Sequence, residues 1–305
     1  MEKIKSIKIK EHTKRKVGLI EKQSRWGYVF IAPWLLGFIC FFAVPLITAF
    51  TYTFNEMNIT SSGLRLDFCG LDNYVRAFTV DPDFTRAIVE STLNILYQVP
   101  IIVFFSLFIA LILRSNFKGR ALMRSIFFLP VIISSGVVIT ILKENVLSGT
   151  NGQASTLFQT GVINEVLIKS GLNAQVVKMI TSTVGAVFDL TWKSGVQILL
   201  LLSALHSIPD SMYEAARIEG ATEWETFWKI TFIMISPTIV TTVIYSIIDY
   251  FTDYSNKVMR LIVQQVGEGN YSYGTTFSIV YFVIVLAIIG LVNLLLTRNV
   301  NKALN

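Results

Sequence analysis

Apolar side chains dominate this chain in long unbroken runs. Residues 28–54, 91–113, 125–142, 230–248 and 270–297 each lack a charged residue. A sixth run, 179–205, is interrupted only by Asp189 and Lys193. A helix needs roughly 20 such residues to cross a bilayer. Barrel strands would be about half as long and would alternate in polarity. The runs therefore predict six membrane-spanning helices, an all-α membrane protein. The predicted organisation is a tail at 1–26, a first span at 27–54, a loop at 55–87 and a five-span core at 88–300.

Composition agrees with this pattern. Of 305 residues, 53% are hydrophobic and 15% charged, and mean hydropathy is +0.59. Soluble domains carry about 25% charged residues. The net charge of +6 comes from bases in the tail and at span ends. The tail holds Lys3, Lys5, Lys8, Lys10, Lys14, Arg15, Lys16, Lys22 and Arg25. Bases beside a span set topology and attract anionic lipid, so nucleic-acid binding is not expected. The first span is too long for a cleaved signal peptide and lacks a small-residue cleavage site.

Arg114, Lys118, Arg120 and Arg124 mark the next short loop as cytoplasmic, and the loop at 55–87 has more acids than bases. Six spans with both termini in the cytoplasm fit a cell-membrane protein of this charge pattern. Gly, Asn and Ser at 148–151 mark a loop, and an amphipathic stretch at 157–168 is expected on the outer surface. Cys40 and Cys69 are too distant to suggest a disulfide framework, and His12 and His206 stand alone. No metal and no cofactor is indicated.

The loop at 206–229 breaks the charge rule. It is cytoplasmic by span count, yet acidic. Pro209 suits the first turn of a helix, with Ser207 or Asp210 as its cap. Gly220 should end that helix in a left-handed conformation. Thr222 and Glu225 form a capping box for a second helix. Tyr213 and Met212 offer apolar anchors, Ala215 and Ala216 permit close approach, and Glu214 offers a charge. A headgroup-bound linker would be basic, so this loop reads as a docking element.

The segment Glu214-Ala-Ala-Arg-Ile-Glu-Gly220-Ala resembles the EAA motif of binding-protein-dependent ABC importer permeases. Gly27 to Pro33, Pro45, the segment Gly70-Leu-Asp-Asn-Tyr-Val-Arg76, Phe127 to Pro130, and Trp192, Lys193 and Gly195 resemble carbohydrate-uptake permeases of the maltose-transporter first-subunit type. Phe232 and Ile233 stand where the family has Leu-Pro, and the segment before the last span is shorter than usual. The resemblance implies the type I importer fold, with residues 207–229 as a coupling helix docked on an ATPase through Tyr213, Glu214, Ala215, Ala216, Gly220 and Ala221. It further implies an ABC ATPase dimer, a second related permease and an extracytoplasmic solute-binding protein as partners, and a sugar or oligosaccharide as cargo. An enzyme is not expected: no phosphate-binding loop occurs, so ATP hydrolysis falls to another subunit. The stretch 147–153 is similar to the ATPase signature only by chance.

Asp189 and Lys193 share one helix face. They either line the substrate path or neutralise each other at a helix contact, since an unpaired charge in a bilayer is costly. Asn94, Gln98, Trp192, Gln197, Tyr245, Asp249 and Asn293 are further substrate-path candidates, able to meet sugar hydroxyls. Phe104, Phe105 and Phe108 read as lipid-facing or packed. The alternatives are an ion-coupled secondary transporter, which favours inverted repeats, an intramembrane enzyme, or an ABC permease for another solute such as a polyol phosphate.

Overall fold

The computed structural model describes residues 19–60, 63–134 and 173–304. The tail before residue 19, the third apolar run beyond 134, the loop at 148–151, the stretch 147–153 and the amphipathic stretch at 157–168 lie outside the described residues. The chain divides into a unit ending at Thr51 and a unit starting at Tyr52.

The first unit is helical throughout its described part. Helix α1 (Leu19–Phe38) passes through a π-helical turn (Ile39–Ala43) into α2 (Val44–Tyr52). The turn sits just before Pro45, which has no N–H to continue the ladder. Here Val44 N–H reaches back to Ile39 O, one residue further than in an α-helix. The side chains point outward, Phe30 and Phe41 being more than four-fifths exposed. Trp34, Phe38 and Phe42 stack along one side at 5.7 and 5.1 Å. A helix apolar on all sides is at home in lipid.

The second unit opens with an antiparallel hairpin, β1 (Asn55–Thr60) and β2 (Gly63–Phe68), in which Asn55 faces Phe68 and Met57 faces Leu66. After α3 (Asp72–Val75) comes α4 (Pro82–Arg114). Its start is well determined by sequence. Pro82 sits at the first turn, and Asp81 Oδ1 accepts from the amides of Asp83 and Phe84 at 3.1 Å each. Helix α5 (Arg120–Ser134) follows.

The fourth apolar run departs from expectation. It is two helices, α6 (Ala174–Lys193) and α7 (Gly195–His206), bent by 56°. The break falls at Ser194, whose hydroxyl bonds the Leu190 carbonyl, and at Gly195, a weak helix former. Serine back-bonding beside glycine is a recognised cause of such kinks.

The remaining helices are α8 (Asp210–Ile218), α9 (Glu223–Thr226), α10 (Phe232–Thr252), α11 (Lys257–Gly267) and α12 (Tyr271–Leu304). Pro237 lies inside α10 and removes the donor that would meet Ile233 O. The Ser236 hydroxyl replaces it at 2.7 Å, a repair that lipid surroundings demand. Candidate spans are Tyr28–Tyr52, Pro82–Arg114, Glu223–Gly267 and Tyr271–Arg298, with α6 and α7 a fifth if counted together. These are the spans among the described residues.

Two apolar cores hold the second unit together. One gathers Phe84, Val258, Phe251 and Phe277 from α4, α10, α11 and α12, with the Phe84 and Phe277 rings stacked at 3.6 Å. The other gathers Leu113, Phe127, Ile198, Leu205 and Ile235 from α4, α5, α7 and α10. Helices α4 and α10 run through both cores. They form the frame on which the two polar regions are mounted, one beside each core.

Candidate functional site

The loop between α7 and α10 is built around two helix ends. Helix α8 begins at Asp210 with Pro209 as its cap and no side-chain capping bond. Both expected caps are therefore corrected. Ser207 Oγ donates back to Ala204 O at 2.7 Å and closes α7, while Asp210 is already helical. Asp210 still favours the start, because an acid in the first turn offsets the helix dipole.

The far end of α8 is as the sequence indicates. Gly220 has φ +76°. Its amide donates to Arg217 O at 3.1 Å, and that of Ala221 donates to Ala216 O at 2.9 Å. This paired reversal closes a helix through a left-handed glycine. The Thr222–Glu225 capping box is fully formed and starts α9.

Helix α8 divides its residues between two faces. Tyr213, expected as an outward anchor, is held inward. Its hydroxyl accepts from Arg114 Nη1 at 2.7 Å and shares a 3.0 Å hydrogen bond with Thr231 Oγ1. The Arg114 guanidinium also lies 4.4 Å from the Tyr213 ring centroid. Ala216 is 5% exposed, buried inside the chain. The outward face carries Ser211, Glu214, Ala215 and Ile218, spaced as one helix stripe. Ile218 is 87% exposed. It is the apolar residue that sequence reasoning missed. Its place four residues after Glu214 was the available signal.

His206, isolated in sequence, ends α7 in a defined tautomer. Its Nδ1 donates to Leu202 O at 2.7 Å, so Nε2 accepts from Arg124 Nη2 at 3.3 Å. The junction into the loop is thereby tied to α5.

The second polar region lies between α4, the α6–α7 bend and the α10–α11 corner. Of the two readings of Asp189 and Lys193, the mutual pair is not formed. Lys193 Nζ reaches across to Asp253 Oδ2 at 2.9 Å, while Asp189 is exposed. Nearby, Lys257 Nζ donates to both oxygens of Glu90 at 2.7 Å and joins α11 to α4. Ser91 Oγ donates to Asn256 Oδ1 at 3.1 Å.

Of the substrate-path candidates, Asn94, Gln98 and Lys193 come together on one cavity of about 190 Å³. It adjoins a larger groove of about 720 Å³ through Glu90 and Asn94. Trp192, Tyr245 and Asp249 are half-buried and do not line this cavity. Gln197 is fully buried; its Nε2 donates to Ser246 Oγ at 3.2 Å and its Oε1 has no partner among the described residues. Asn293 lies on an exposed face of α12 and accepts from Thr297 Oγ1 at 2.9 Å. No group of acids, histidines and cysteines able to hold a metal occurs among the described residues.

Comparison with known proteins settles what kind of molecule carries these two regions. Residues 79–304 match the family described as "Binding-protein-dependent transport system inner membrane component". The chain belongs to that family. Membership makes it a multi-pass component of a binding-protein-dependent transport system, not an enzyme in itself, and sets aside the secondary-transporter and intramembrane-enzyme readings.

Relatives of this transport component include the Probable ABC transporter permease protein YesP of Bacillus subtilis (strain 168), 29% identical over 262 residues, or 86% of this chain and 80% of that protein. The Lactose transport system permease protein LacF of Rhizobium radiobacter is 29% identical over 228 residues, 73% of this chain and 71% of that one. The Trehalose/maltose transport system permease protein MalF of Thermococcus litoralis is 25% identical over 285 residues, 87% and 92% of the two chains. A chain of the bacterial ABC transporter involved in the import of the acidic polysaccharide alginate shares the fold, with a TM-score of 0.61 at 23% identity over 91% of this chain and 96% of that one. The family match takes in the α8 loop and the Lys193 region alike.

Proposed function

We propose that this chain is the permease subunit of an ATP-binding-cassette importer, and forms with a second related permease the path for a sugar or oligosaccharide handed over by an extracytoplasmic binding protein. Its six spans are the four apolar helices, the bent pair α6–α7, and the run 125–142. Both termini lie in the cytoplasm. The loop at 207–229 is the coupling element, docked on an ATPase dimer.

The observation that carries this reading is the face of α8. Glu214, Ala215 and Ile218 stay exposed on a helix whose opposite face is locked by Tyr213 and Ala216. A rigid helix that withholds its acid and its isoleucine from its own core is suited to transmit force through a protein contact. The sugar cargo is supported by the names of relatives such as the LacF and MalF permeases.

The test is reconstitution with the ATPase, second permease and binding protein encoded alongside. ATP-dependent uptake of a sugar is expected, together with loss of uptake on Glu214→Ala at unchanged membrane level. Uptake of amino acids, inorganic ions or phosphate alone would overturn the cargo. Normal transport by Glu214→Ala would overturn the coupling role.

A further inference from the structure

The cavity between α4, the end of α6 and the α10–α11 corner has an uneven charge balance. Three cations line it: Lys193, Lys257 and Arg260. One carboxylate lines it, Glu90, and both its oxygens are taken by Lys257 at 2.7 Å. Lys193 is met from behind by Asp253 at 2.9 Å, with Asp249 also in electrostatic range. That leaves Arg260. Its side chain is exposed on the cavity wall, and its guanidinium has no hydrogen bond or ion pair among the described residues.

A neutral sugar entering here would strip water from an unpaired guanidinium and offer no charge in return. Taking water from a cation without supplying a counter-charge is unfavourable. A carboxylate would instead meet the planar fork that binds it through two parallel hydrogen bonds. The corner Ser255, Asn256 and Lys257 also lines the cavity and starts α11, so the positive end of that helix dipole adds in the same direction. On the same wall, Asn94 and Gln98 offer amides to hydroxyls, and Tyr250 offers a ring. The cavity of about 190 Å³ is small for a ligand site, but it continues into the groove of about 720 Å³ past Asn94. Together they suit a chain of sugars better than one ring.

We infer that the cargo is an acidic oligosaccharide, one bearing uronate carboxylates, and that Arg260 receives one of those carboxylates in the permease. This inference rests on the sugar-importer reading above and narrows it.

The experiment uses the whole complex in proteoliposomes, with its binding protein outside. The probes are uronate trimers (trigalacturonate and trimannuronate), their methyl esters, and maltotriose. The readout is the ratio of initial ATP-dependent uptake for acid over ester. This ratio compares two substrates on one preparation, so protein yield drops out. A hydrogen bond to a charged group corresponds to roughly ten- to a hundredfold in binding. The wild type should favour the acid about tenfold or more. Arg260→Gln should bring the ratio close to one, and Arg260→Lys should leave it in between, since an ammonium keeps the charge without the fork. A bound phospholipid headgroup at Arg260 would make the ratio insensitive to Arg260→Gln, and that result overturns the inference. If the glutamine variant does not assemble, an unaltered ratio in Arg260→Lys overturns it equally. Uptake of maltotriose without either uronate overturns the inference and leaves the sugar-importer reading standing. Uptake of no saccharide overturns both.

Discussion

The α8 loop and the Lys193 cluster treat charge in opposite ways. Around Lys193, charges on three elements are drawn together: Lys193 to Asp253, and Lys257 to Glu90. Each pair joins segments far apart in sequence. On α8, Glu214 sits on an exposed face with Ile218 beside it. Within a span, a lone charge has no water to turn to, so it must find a partner in the fold. At the span's end water is available, and a charge can wait for another protein. The first region pairs Lys193 and Lys257 inside the chain, and the second is one half of an interface.

The predictions probe that contrast. The largest effect is expected at Glu214→Ala. If its carboxylate completes a buried pair in the docked complex, truncation should cost about 2–5 kcal/mol of docking. That weakens ATPase retention by tens to thousands of times. Pull-down of the ATPase from detergent measures it, and the isolated permease should melt as the wild type does.

Asp253→Ala should do the reverse, with the thermal midpoint in detergent falling while ATPase docking holds. It strands Lys193, whose side chain is 30% exposed. Removing one partner of a buried pair costs about 3–5 kcal/mol, and the partial exposure here places the expected loss near or below about 3 kcal/mol. Replacing both Lys193 and Asp253 by Met should recover most of it. A double variant no better than Asp253→Ala would show that the pair is not what holds the corner.

Gly220→Val comes next. A Cβ at Gly220 would meet nothing within 4 Å, so the cost is backbone strain alone. At φ +76° that is about 1–3 kcal/mol for a residue with a side chain, and valine is among the least tolerant. The α8–α9 corner should open, and uptake should fall at near-normal membrane level. Gly220→Asn should be tolerated far better, since asparagine enters this region readily. Equal loss in both variants would mean that size, not backbone conformation, matters there.

The smallest effect is expected for Tyr213→Phe. It removes the hydroxyl shared by Arg114 and Thr231 but keeps the ring under the guanidinium. A loss of about 1–2 kcal/mol in stability is expected, read as a modest shift in melting. Because Tyr213 faces inward, ATPase retention should change less than in Glu214→Ala.

The helix stop at Gly220 and the restart at Thr222 were legible because both are local. A left-handed glycine and a Thr–Glu capping box each need only a few neighbouring residues. The start of α8 was not legible, because Ser207 had a competing carbonyl one turn back at Ala204. Ala216 and Tyr213 were assigned to the outer face by their chemistry. Ala216 is buried in the fold, and Tyr213 is held inward because Arg114, ninety-nine residues earlier, and Thr231 bond its hydroxyl.

The sequence by itself determined that the chain crosses a membrane, where most spans fall, and how the loop after His206 turns. Apolar run length and capping chemistry act over neighbouring residues, so no tertiary information is required. Only the tertiary structure decided that the run 179–205 bends at Ser194, that Lys193 chooses Asp253 over Asp189, and that Arg260 is left on a cavity wall without a partner among the described residues. Those outcomes depend on which helices pack together. A charge in a low-dielectric surrounding takes the partner that the packing brings near, not the one closest along the chain.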